Sequence, residues 1–146
     1  MNFARIAAAA VVAWIVSLPV GYLVNDVLLV GVNAANAGVL RPEADMMAKL
    51  PLGFGGLLIA FFAFAYMYAK GYEGGSGVVE GIRFGVLVAL MVIGFGWIWM
   101  YVSVPITGSL SIASMIDSLV ELPLYGAIVG AVYKPLPAPA ARAAAI

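Results

Sequence analysis

The chain contains no cysteine and no histidine. Their absence excludes disulfides, thiolate or imidazole metal sites, nucleophiles paired with a histidine base, and haem or chlorophyll held by histidine or cysteine. No cofactor is expected. Charge is also scarce, with seven Lys and Arg against seven Asp and Glu in 146 residues and a formal net charge of zero. No basic cluster interleaved with aromatics occurs, which sets nucleic acid aside as a partner. No pairing of nucleophile and base can be read from the sequence, so no enzymatic activity is expected.

What remains is apolar: 65% of the residues are hydrophobic and mean hydropathy is +1.11, far from the balance of a soluble domain. Charge-poor stretches begin near Ile6, Leu50, Phe84 and Leu110. Each is long enough for a hydrocarbon core of about 30 Å and too continuous for barrel strands. The expectation is an all-α integral membrane protein with transmembrane helices at about 6–26, 50–69, 84–104 and 110–133, in an antiparallel up-down bundle. Residues 1–134 form one domain, and a Pro/Ala-rich tail, 135–146, follows. MNFAR ahead of an apolar run also has the outline of a signal peptide, with Ala35-Asn36-Ala37 imitating a cleavage site. The run exceeds a usual signal core and Asn25-Asp26 interrupts it, so a retained first helix is the expectation.

Arg5, Lys70, Arg83, Lys134 and Arg142 fall on one side of this topology, against Arg41 and Lys49 on the other. The positive-inside rule then places both termini in the cytoplasm, with a bacterial cytoplasmic (inner) membrane as the expected location. Trp97, Trp99 and Tyr101 suit an outer aromatic belt, and Tyr66, Tyr68, Tyr72 and Tyr133 an inner one. The apolar segment 27–40 is placed on the membrane surface or over the outer mouth as a lid. Pro42 at a first-turn position, with Glu43 and Asp45 near the helix dipole, starts the second helix before the membrane, with a bend at Pro51.

Small residues recur at Ala9, Ala13, Ser17 and Gly21 of the first helix, Gly56, Ala60 and Ala63 of the second, and Gly126 and Gly130 of the fourth. Such stripes admit close backbone approach, so they are the expected packing seams. The loop YAKGYEGGSGVVEGIRFG is Gly-rich, but its Lys70 precedes the glycines and membrane helices flank it, unlike a Walker loop. It is read as a flexible turn, with Glu80 and Arg83 paired one helical turn apart.

The fourth helix differs from the others. At about 100° per residue, Ser114, Asp117, Ser118, Glu121 and Tyr125 share an arc of about 100°. Asp at a membrane-helix centre costs about 2.5–3.5 kcal/mol, and Glu is taken as similar, whereas each Leu, Ile or Val returns about 0.3–0.6 kcal/mol. Two acids therefore nearly cancel the helix's aliphatics, and the stripe must face other helices, water or a partner. Pro123 leaves the carbonyl of Leu119 without its helical donor and is expected to kink the helix beside Glu121. Carboxylates, carbonyl and hydroxyls together suit a proton or hard cation, with Asp26 at the end of the first helix expected to contribute. A neutral, hydrogen-bonded pair holding the helix against a neighbour fits the same residues.

The arrangement resembles the small bacterial four-helix membrane proteins grouped as domains of unknown function, with YAKGYEGG followed by EGIRFG as its most distinctive run. That resemblance implies a fold and no activity. The chain is also similar to small multidrug transporters in its four short helices and membrane glutamate. In those the acid lies on the first helix, which here has none before Asp26, so their function is not carried over. Two functions are expected: an accessory or structural subunit assembling with itself or other membrane proteins, or a proton- or cation-coupled transporter or channel.

Overall fold

The computed structural model describes residues 1–133; the 135–146 tail, Lys134 and Arg142 lie outside the described residues. Helices α1 (Phe3–Tyr22), α2 (Val30–Ala34), α3 (Glu43–Gly71), α4 (Gly77–Val92), α5 (Trp99–Ser103) and α6 (Gly108–Val132) account for most of the chain, with no strand among the described residues. Two π-helical segments, Leu23–Leu28 and Ile93–Ile98, extend α1 and join α4 to α5. Four continuous helical stretches result, Phe3–Leu28, Glu43–Gly71, Gly77–Ser103 and Gly108–Val132, all long and apolar enough to cross a membrane.

The second and third spans begin about seven residues before the hydropathy boundaries. Hydropathy marks the portion suited to hydrocarbon, whereas the helical hydrogen-bond ladder continues into polar sequence. Pro42 stands at the N-cap of α3 rather than inside its first turn, with Glu43 and Asp45 in that turn. Asp45 ties the start of the helix together by pairing with Arg41 and Lys49, each four residues away. Pro51 and Pro123 are both accommodated within unbroken helices, α3 and α6.

The main core joins Ile6, Ala9, Ala10 and Ala13 of α1 to Phe61, Phe64, Ala65, Tyr68 and Ala69 of α3 and to Tyr125, Val129 and Tyr133. It lies toward the end of the bundle that carries Tyr72 and Tyr133, here the tyrosine end. Tyr68 and Tyr133 were expected in an interfacial belt, but both are buried in this core, and only Tyr66 is openly exposed. Edge-to-face ring contacts explain the preference: Tyr68 and Tyr133 stand 6.0 Å apart at 90°, and Tyr68 reaches Phe84 at 5.8 Å.

The third and fourth spans meet through glycine. A Cβ at Gly77, Gly81 or Gly85 would collide with backbone at Gly130, Gly126 or the Leu122–Pro123 turn, respectively. The register therefore runs in opposite directions, with backbones in direct contact. Gly126 and Gly130 serve as the expected seam, but their partners Gly77, Gly81 and Gly85 were read as part of a flexible loop. Their four-residue spacing is the signal that identifies them.

Other expected seams divide. Ala9, Ala13 and Ser17 are buried, whereas Gly21 has open space around it. Gly56, Ala60 and Ala63 are exposed, on the side of α3 away from the core residues Phe61, Phe64 and Ala65; nearer its N-terminus α3 receives a hydrogen bond from Trp14 Nε1 of α1 at the Phe54 carbonyl, 3.0 Å. Glu80 does not pair with Arg83. Its carboxylate instead accepts the backbone N–H of Glu73 at 3.0 Å and of Gly75 at 2.5 Å, fixing the loop whose Gly74 has φ of +96°.

Candidate polar site on the fourth span

The α6 stripe faces other helices. Ser114, Ser118 and Tyr125 are buried, and Asp117 and Glu121 are half-buried. The Tyr125 hydroxyl donates to Glu121 Oε2 at 2.8 Å, one turn along the same helix. Ser118 Oγ donates to the Ser114 carbonyl at 2.8 Å and accepts from Trp97 Nε1 at 3.0 Å. Ser118, Glu121 and Tyr125 are thus held in place, Ser118 by a group, Trp97, that sequence spacing had not linked to the stripe.

Trp97 is the residue the sequence placed elsewhere. A π-helical segment bonds i to i+5 and so changes the angular positions of residues along a helix. Within Ile93–Ile98, Trp97 turns toward α6, while Trp99 and Tyr101 remain exposed as a belt requires. No hydropathy pattern announces this change of register.

Glu121 Oε1 is buried and has no hydrogen-bond partner among the described residues. The side chain of Asp117 lies within hydrogen-bonding reach of the Glu121 carboxyl, so a proton shared between the two acids is what this position lacks. On the tyrosine side of it, Tyr125 packs edge-on against Phe61 at 5.1 Å, and the chain of rings continues through Phe64 at 6.4 Å, Phe84 at 4.7 Å and Tyr68 at 5.8 Å. The acids therefore cap an aromatic column that reaches toward the tyrosine end.

Asp26 does not join them. It is exposed in the π-helical segment Leu23–Leu28, and no three His, Cys, Asp or Glu residues gather as a metal site among the described residues. Asn36, in contrast, was read only as part of a cleavage-site lookalike and is buried to 2% exposure. Its Oδ1 accepts the Thr107 N–H at 2.8 Å, and its Nδ2 donates to Thr107 Oγ1 at 3.0 Å and to the Val32 carbonyl at 2.8 Å. Thr107 is the N-cap of α6, its own side chain accepting from Leu110 N–H. The segment 29–40 is consequently fastened to the end of α6 that carries the stripe.

The chain matches no protein-family model, no curated protein and no solved structure.

Proposed function

We propose that this protein is a non-enzymatic membrane subunit that assembles with copies of itself or with other membrane proteins. The observation that carries the reading is the bare small-residue face of α3. Gly53, Gly56, Ala60 and Ala63 fall on one side of that helix at helical spacing, and all are exposed. A methyl group at Gly53 or Gly56 would meet nothing within 4 Å among the described residues. Lipid gains little from such a face, whereas a second helix gains close van der Waals contact along it. The half-buried Asp117 and Glu121 add a polar edge to which a partner's hydrogen-bond donors are suited.

In this reading the four spans form an up-down bundle in a bacterial inner membrane. Arg5, Lys70 and Arg83 gather at the tyrosine end, and by the positive-inside rule this supports a cytoplasmic position for that end. Gentle extraction followed by native mass spectrometry tests the assembly. Multiples of the 15.2 kDa chain are expected, and Gly56→Leu with Ala60→Leu should reduce them to monomer. Monomer alone from the unaltered protein would sink the proposal.

A second reading has its own support in the orphaned Glu121 Oε1. A carboxyl with one oxygen bonded to Tyr125 and the Asp117 carboxyl within reach offers a place for a proton or cation. Reconstituted vesicles should then carry a flux that Glu121→Gln plus Asp117→Asn abolishes. Equal flux from both proteins eliminates transport through these acids.

A further inference from the structure

We propose that residues 29–40 form a strap that gates the polar track of α6, with Asn36 as its latch. The strap starts where the π-helical segment Leu23–Leu28 ends, passes through the short helix Val30–Ala34, and continues in turns toward α3. Asn36 is the one buried residue between positions 29 and 40. Apolar packing therefore contributes little to holding the strap down, and hydrogen bonds to Thr107 supply its attachment.

The strap's other hydrogen bonds are its own or reach back to its root. Among the described residues, Asn33 Nδ2 donates to the Asn25 carbonyl at 3.0 Å and Leu29 N–H to the Val24 carbonyl at 2.8 Å, while backbone bonds from Asn33 to Leu40 stay within the segment. These bonds survive if the strap lifts away from Thr107. Among the described residues the Asn36–Thr107 hydrogen bonds are the ones that must break, so the segment has the connectivity of a loop joined to α1 and α3 at its ends with one fastener between them.

One turn along α6 from the latch lies a buried polar group without a partner. Ser111, one turn below Thr107, is 3% exposed and its Oγ has no hydrogen-bond partner among the described residues. Ser111, Ser114, Ser118, Glu121 and Tyr125 lie within an arc of about 80° on α6, a single file of polar groups leading to the orphaned Glu121 oxygen. A buried hydroxyl without a partner is costly unless water or a ligand reaches it in some state of the protein. Strap opening supplies that state. Water would enter at Ser111, from the end opposite the aromatic column.

The absence of native cysteine makes the test direct. The full chain carrying Ser111→Cys, in nanodiscs, is treated with a water-soluble maleimide, alone and combined with Asn36→Ala or Asn36→Asp. Asn36→Ala removes every latch bond and should speed labelling roughly tenfold or more, as expected for losing two hydrogen bonds. Asn36→Asp keeps the acceptor for Thr107 N–H and should give an intermediate rate. Ala65→Cys, fully buried in the main core, serves as the control and should remain slow in every background. Equal Ser111→Cys rates with and without Asn36→Ala overturn the gate. Equal acceleration at Ala65→Cys also overturns it, because Asn36 would then hold the whole fold and not the strap alone.

Discussion

The pairing of Tyr125 with Glu121 decides how two acids persist in an apolar helix. A single phenol satisfies one carboxyl oxygen from the turn below, and the ring that carries it is locked edge-on to Phe61. Tyr125→Phe retains the ring and its packing but strands a second buried oxygen, so a loss of about 1–3 kcal/mol is expected. Unfolding by SDS titration in mixed micelles measures it, and an unchanged midpoint would mean that the hydroxyl contributes nothing. Trp97→Phe should cost less than Tyr125→Phe, since Ser118 still donates to the Ser114 carbonyl. The stripe was legible from period alone because all five residues lie on one regular helix. Trp97 and Asn36 were not, because one depends on a π-helical register and the other on a contact spanning 71 positions of sequence.

Between elements, the glycine contact of the third and fourth spans controls the architecture. Gly77, Gly81 and Gly85 sit at intervals of four, and a methyl group on any of them would meet backbone, which cannot yield as a side chain does. Gly81→Ala or Gly126→Ala should therefore destabilise by about 1–3 kcal/mol. Gly94→Ala and Gly96→Ala, where nothing lies within 4 Å, should be neutral or stabilise by up to about 1 kcal/mol through helix propensity. The same SDS titration ranks the four variants, and equal effects would refute the seam. Four spans were readable from hydropathy, but their true starts and this seam were not. The glycine run preceded the apolar stretch and so looked like loop, although its spacing was already helical. At Gly56, Ala60 and Gly21 the identical kind of spacing has no partner among the described residues, since small residues permit contact without requiring it.

Across the whole molecule, packing is uneven: aromatic and alanine core toward the tyrosine end, separated helices and a strap toward the other. The proposed orientation predicts opposite labelling of two exposed sites in intact vesicles. Ser76→Cys should react from the cytoplasmic side and Gly38→Cys from the other, and reaction of both from one side would refute it. The proposed topology rests on charge counting and helix number, both read from the sequence. The uneven packing could not be anticipated, because hydropathy treats both halves of a span alike while aromatic ring contacts concentrate in one.

The glycine seam also bears on biosynthesis. α6 emerges from the ribosome last of the four, and with two acids costing about 2.5–3.5 kcal/mol each it is a poor substrate for partitioning by itself. Its predecessor reaches the bilayer immediately before it, separated only by residues 104–107, and offers a surface on which the two backbones fit without intervening side chains. Spans three and four can therefore leave the translocon as one hairpin, with the third span, whose one acid Glu80 sits in its first turn, carrying the acidic fourth into lipid.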